Sequence, residues 1–212
     1  MKQKSKIAIL GGGGRTGMYL VSHLINQGYH LKLLLRKPEN FSVKNSLIEI
    51  VKGDAVDMQA IRLLVQGCEA IISTVGQRKD EPLVASQTTV NVLEAMKENK
   101  IQRYILVAGL NVDTVFDKKS PQTTQATEWM KAHYSVYHED KQKAYSILSA
   151  SDRAWTMVRV PFIEFTDERN GLRVSLEDCL GTKISAADIA AFLVDQLNDT
   201  TYIRKSPFIA NP

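Results

Sequence analysis

Gly11, Gly12, Gly13, Gly14 and Gly17, with Arg15 and Thr16 between them, form the stretch whose residue types and spacing best suit chemistry. Glycine has no Cβ, so it takes positive φ without strain and lets the backbone come close to a pyrophosphate. The N–H groups that open a helix after such a turn, here near Arg15 and Thr16, attract phosphate with the helix dipole behind them. The pattern has meaning only between a strand and a helix. Both flanks qualify. Residues 6–10, KIAIL, form a short apolar run that predicts a buried strand, and Leu20, Val21, Leu24 and Ile25 share one face of a helix that Gly28 would stop. Gly11, Gly14 and Gly17 spell GxxGxxG, and Gly12 also gives GxGxxG. Gly17 would let the helix pack closely. A bound nucleotide is the expectation, against the plainer alternative of a glycine loop with no ligand.

The elements that must hold this turn alternate along the chain. Apolar runs at 31–35, 47–51, 70–75, 104–108 and 155–160 predict further strands. Helical patterns lie between them at 58–65, around 90–96 and from about 124 to 149. Strands apolar on both faces and joined by helical crossovers indicate a Rossmann-like doubly wound parallel sheet with helices on both faces. The 212 residues suit a single α/β domain. After Pro161 the rhythm changes: 164–171 is polar, 172–176 suits a short strand, and 185–197 a helix with Ser185 as N-cap and Asp188 in its first turn. Residues 162–212 are expected to form a small substrate-side lobe over the carboxyl ends of the strands.

Composition narrows the partners. The net charge is +4 with scattered basic residues, which suits an anionic cofactor and offers no stripe for nucleic acid. The apolar runs are too short for a membrane span or a signal peptide. Cys68 and Cys179 stand alone, and no His or Cys cluster has metal-ligand spacing, so a reduced cytoplasmic protein without metal is expected.

With turn, strands and tail in place, the chain resembles the atypical short-chain dehydrogenases/reductases of the NmrA-like group. Within that group it is most similar to the biliverdin-IXβ/flavin reductases and bacterial NADH-flavin reductases. The anchors are GGRTG at 13–17, LLR at 34–36, GD at 53–54, VGQRKD at 75–80, DK at 140–141 and WTMVRVP at 155–161. The resemblance implies cofactor contacts from Gly11, Gly13, Gly14, Arg15, Thr16, Gly17, Arg36, Asp54, Val75, Gly76, Gln77, Lys141 and Pro161. An acidic residue at the end of the second strand would select NAD, whereas Arg36 with Lys37 beside it favours the 2′-phosphate of NADP. A solvated basic turn is the alternative there. Asp54 matches a residue that bonds the adenine amino group, and it equally suits the N-cap of the following helix.

Tyr137 and Lys141 spell YxxxK, four residues apart on one helical face. In that pair the lysine eases loss of the tyrosine proton and holds the nicotinamide ribose. The hydroxyl partner expected after the fifth strand is missing, because residues 107–111 read VAGLN. Without it the proton relay for carbonyl reduction is incomplete. A flavin or quinone takes its proton from water, so donor and acceptor need only be held in contact. A surface position is expected for His133 and His138, with the substrate cleft as the alternative. Trp129 and Tyr134 could floor a flat pocket or simply pack their helix. The implied activity is NAD(P)H-dependent reduction of a flat acceptor by a monomer or homodimer, with NADP preferred to NAD. A non-catalytic NADP sensor is the main alternative. A sugar-nucleotide epimerase or dehydratase is disfavoured by the small substrate side.

Overall fold

The computed structural model describes residues 5–77 and 83–212. Residues 78–80 of the VGQRKD motif therefore lie outside the described residues. Six parallel strands follow the sequence pattern: β1 (Lys6–Leu10), β2 (His30–Leu35), β3 (Ile48–Lys52), β4 (Ala70–Ser73), β5 (Arg103–Gly109) and β6 (Ala154–Val160). Their order is β3-β2-β1-β4-β5-β6, so the winding reverses between β1 and β4. Registers such as Ile9 opposite Leu33 and Ile72 place apolar residues side by side across the centre.

The period of two along β1 decides the layers. Ile7 and Ile9 point to one face, where they meet Leu20, Val21 and Leu24 of α1 (Arg15–Asn26). Ala8 and Leu10 point to the other, against Ile61 and Leu64 of α2 (Met58–Val65) and the core it shares with Val92 and Met96 of α3 (Val84–Glu98). Burying each leucine or isoleucine in such layers stabilises by roughly 1.5–3 kcal/mol. The helix expected over 124–149 is two helices, α4 (Pro121–His133) and α5 (Ser135–Ser149), parted at Tyr134 with φ −139° and ψ 45°. No proline or glycine marks that break in the sequence. Tertiary contacts of α5, described below, give it an axis of its own.

The stretch after Pro161 contributes strands to two sheets and a helix to the core. β7 (Phe162–Glu164) pairs in parallel with β9 (Lys183–Ser185) as a separate ribbon. β10 (Phe208–Ala210) joins β6, and β8 (Arg173–Ser175) pairs antiparallel with β10, completing an eight-stranded sheet. Between them α6 (Ala186–Asp195) shares the core of α1 through Ile189, Phe192 and Leu193. Ser185 caps it as expected, accepting from the Asp188 backbone N–H.

Arg159 of β6 ties this region to the carboxyl edge of the sheet. Its guanidinium is fully buried and bonds both oxygens of Asp117 at 2.8 and 2.9 Å, and the carbonyls of Val112, Ser206 and Leu176. It also lies 3.5 Å from the centre of the Phe208 ring. Only arginine offers enough donors in a planar fork for this arrangement. No helix among the described residues is long and apolar enough to cross a membrane. Among those residues no His, Cys, Asp or Glu group could hold a metal ion.

Candidate functional site

A groove of about 800 Å³ opens where the strand order reverses. That is the place in a doubly wound sheet where the two connecting loops part and leave a crevice. Gly11, Gly13, Gly14, Arg15 and Thr16 line one side, and Val75, Gly76 and Gln77 the other, with Arg36 and Lys37 at the end of β2. Nine of the residues expected to meet a cofactor thus share one lining.

The glycine turn is shaped by a few contacts. Gly11 has φ +77°, and the Gly14 N–H donates to its carbonyl at 2.9 Å. The Thr74 hydroxyl donates to that same carbonyl at 3.2 Å, so the turn after β1 is fastened to the end of β4. A Cβ on Gly17 would overlap the Gly11 carbonyl oxygen, which fixes how closely α1 rests on the turn. Gly12 is different: a Cβ there would touch Ile9, Val21 and Leu33, so this residue faces the core and not the groove. Of the two spacings, Gly11, Gly14 and Gly17 make the turn.

The first turn of α1 carries no acidic residue, and its N-cap Gly14 offers no side-chain acceptor. The leading N–H groups of a helix have no intrahelical partner, so they are left for whatever occupies the groove. At Gly14 a Cβ would meet only the Gly11 oxygen within 4 Å, and at Gly76 it would meet nothing. Bare backbone, outward N–H groups and a basic lip together fit the phosphates of a dinucleotide.

Several groove residues carry no signal in the sequence. Thr74 continues an apolar run in the sequence, yet β4 ends at Ser73 and Thr74 turns into the groove. Asn40 and Phe41 enter beside Gly13 by way of a short 3-10 turn at Pro38–Asn40. Ile163 and Phe165 reach across from the chain after β6, and the Arg15 guanidinium lies 4.2 Å from the centre of the Phe165 ring. Such cross-chain contacts have no local pattern.

Five expected residues lie outside this lining. Gly17 is pressed beneath the turn. Asp54 accepts from the Val56 N–H at 3.0 Å, and its neighbours Gly53 and Ala55 reach the groove instead. The N-cap of α2 is Asp57, which accepts from Gln59, so Asp54 is not the cap. Pro161 is buried where β6 passes into β7. Tyr137 packs its ring near that of Tyr134. Lys141 donates to the Val75 carbonyl at 3.2 Å and lines a small cavity behind the groove with Ser73, Thr88 and Tyr104. Burial holds its ammonium below the usual lysine range, while Asp140 opposes that shift.

α5 is anchored at the carboxyl edge by two polar contacts. Helix α3 has no N-cap side chain, and its first N–H groups, at Ala85 and Ser86, donate to the buried Asp140 carboxylate at 2.7 and 3.0 Å. Charged acceptors of this kind stabilise by roughly 1.5–3 kcal/mol each. His138 is buried, contrary to the surface position expected, and its Nδ1 lies 3.0 Å from the Asn111 side-chain nitrogen. Burial lowers its pKa, with Lys131 adding to the effect. A Cβ at Gly109 would overlap Asn111 Oδ1, so a hydroxyl residue there would displace the amide that meets His138.

Comparisons with known proteins agree with this geometry. A family model described as NAD(P)H-binding matches residues 11–200. Among curated proteins, eugenol synthase 1 of Petunia hybrida is 31% identical over 54% of this chain and 39% of its own length. Cinnamoyl-CoA reductase 2 of Medicago truncatula is 25% identical over 72% of this chain and 49% of its own. The chain spans about half the length, or less, of the curated relatives it matches. Two solved structures share the fold nearly end to end. A short-chain dehydrogenase/reductase of Veillonella parvula in complex with NADP has a TM-score of 0.84 at 15% identity, covering 98% of this chain and 95% of that one. ChuY, an anaerobillin reductase of Escherichia coli O157:H7, has a TM-score of 0.82 at 18% identity, covering 98% of each. With its Rossmann-like sheet, its glycine turn and a family match over most of its length, this chain belongs to the NAD(P)H-binding family and shares the fold of the short-chain dehydrogenases/reductases.

Proposed function

We propose that the protein is an NADPH-dependent reductase that passes hydride to a flat acceptor such as a flavin or quinone. The observation that carries the choice of acceptor is the end of β5, where Gly109 offers no hydroxyl and Asn111 is committed to His138. A carbonyl reductase needs a proton delivered as hydride arrives. A flavin or quinone takes that proton from water, and the protein's part is to hold the two partners in contact. The reductases among the relatives support the class of reaction, and the Veillonella structure supports an NADP-type cofactor.

The nicotinamide supplies hydride when bound. The α1 N-terminus, Gly13 and Gly14 would receive the pyrophosphate, and Phe41 and Leu35 would flank the adenosine end. Arg36 and Lys37 would meet the 2′-phosphate. Lys141, beside the Val75 carbonyl, would hold the nicotinamide ribose. Ile163 and Phe165 would shield the groove from water, which strengthens its polar contacts. The acceptor would gain that hydride together with a proton from solvent, and the protein's own groups would supply neither.

The cofactor choice is tested at Arg36. Charge-assisted bonds to a phosphate are worth roughly 1.5–3 kcal/mol each. Arg36→Ala is expected to weaken NADPH binding tenfold or more and to leave NADH nearly unchanged, with Arg36→Ala/Lys37→Ala as the stronger case. Equal weakening of both cofactors in calorimetric titration would show that the basic lip does not read the 2′-phosphate. The acceptor choice is tested at Tyr137 and Lys141. Tyr137→Phe is expected to change the rate with menadione or FMN by less than about tenfold, under 1.4 kcal/mol in the barrier. Lys141→Ala should cost more, with much of the loss in cofactor binding. Collapse of turnover in Tyr137→Phe at unchanged NADPH affinity would make Tyr137 a catalytic acid and the substrate a carbonyl.

A further inference from the structure

The rings at the α4–α5 junction have no role in the core. Only Thr123 and Thr127 of α4 are buried, and Trp129 lies about 200° round the helix from Thr127. It is 51% exposed and Tyr134 is 45% exposed. They form a ladder with their neighbours: His133 stacks on Trp129 at 4.7 Å between centroids, Trp129 meets Tyr134 at 5.6 Å, and Tyr134 lies nearly parallel to Tyr137 at 6.1 Å. Adjacent exposed aromatics of this size are informative in a way that single ones are not.

Topology places the ladder on the ligand side. β5 and β6 are parallel, so the connection between them must return from the carboxyl edge to the amino edge, and α5 makes that return. Its first turns therefore sit at the carboxyl edge, as the Asn111–His138 contact just after β5 also requires. Tyr137 is one turn before Lys141, whose ammonium touches the wall of the cofactor groove at Val75.

We infer that Trp129, Tyr134 and Tyr137 form the shelf on which the acceptor docks, and that the acceptor is a planar aromatic of two or three fused rings. This rests on the reductase function proposed above. Offset stacking on such rings gives affinity without needing a polar pocket, and planar faces reject bulky saturated molecules. A ring system stacked on Tyr137 would lie one helical turn from Lys141, whose ammonium meets the groove wall at Val75.

The probe is riboflavin without NADPH, read by quenching of tryptophan emission. The chain has two tryptophans, the exposed Trp129 and the buried Trp155, and both emit, so the dependence on Tyr134 is what assigns the quenching to the shelf. Saturable quenching is expected, with Tyr134→Ala raising the dissociation constant at least tenfold, Tyr134→Phe preserving it, and NADPH affinity equal in all three. Wild-type affinity in Tyr134→Ala, the absence of saturable quenching, or an emission change that follows protein concentration alone would overturn the inference. The last result would make the face a contact between copies of the chain. Saturable, Tyr134-dependent binding with no NADPH oxidation by riboflavin or menadione would retain the shelf and refute the reductase. Turnover of menadione unaffected by Tyr134→Ala would refute the shelf alone.

Discussion

Gly17→Ala is expected to lower the melting temperature by about 6–12 °C and to abolish measurable NADPH binding. The added methyl would overlap the Gly11 carbonyl oxygen, an atom of rigid backbone that also accepts from Thr74 and Gly14. Overpacking of this kind costs about 3 kcal/mol, and each kcal/mol shifts the midpoint by about 2–4 °C in a chain of this size. The only relief is for α1 to move away from the turn, which carries its N–H groups off the groove. Thermal denaturation followed by circular dichroism checks the first effect and calorimetry the second. A variant as stable as the parent would show that α1 does not rest on the turn as described.

The second large effect separates binding from folding. Gly14→Val should lower NADPH affinity at least tenfold, about 1.4 kcal/mol, while stability falls by only about 1 kcal/mol. Gly14 has φ −82° and ψ 169°, extended backbone that valine adopts readily. Its Cβ would meet only the Gly11 oxygen at 3.2 Å, so the fold needs to give by a few tenths of an ångström. The methyl groups would instead stand on the floor of the groove, over the N–H groups that should meet phosphate. Unchanged NADPH affinity in a folded Gly14→Val protein would remove the turn as the phosphate site. Read together, the two variants distinguish a glycine kept for packing from one kept for a ligand.

The sheet was legible in the sequence because its central strands, β1, β2, β4, β5 and β6, are buried on both faces. Its apolar runs, such as 6–10 and 70–73, need no knowledge of partners to stand out. The turn and the basic lip were legible for the same local reason: strand, glycines, helix and Arg36 lie within one short span. What lay further off was not. β7, β9 and β10 have three residues each, too few for a period to emerge. The start of α4 did have a local signal, Ser120 capping and Pro121 in the first turn, although the helical pattern alone points to a later start. The break at Tyr134 comes from contacts made by α5 with Asn111, Ala85 and Ser86, pairs that stand 27 to 55 positions apart in sequence. Phe165 over Arg15, Thr74 over Gly11 and the burial of His138 are likewise products of the assembled sheet. Lys141 illustrates the middle case. Its spacing from Tyr137 was visible, but the structure places the lysine against Val75 and the tyrosine in an aromatic ladder.

An anaerobic single turnover tests the central claim most directly. The protein is mixed with one equivalent of NADPH and one of FMN, and absorbance is followed at the nicotinamide and flavin bands. Hydride transfer to a flat acceptor predicts that both bands bleach together, mole for mole, at a rate that saturates with each partner and falls at least tenfold in Gly14→Val at subsaturating NADPH. Binding of NADPH with neither band bleaching, for FMN and for menadione alike, would contradict it and identify a protein that holds the cofactor without using it.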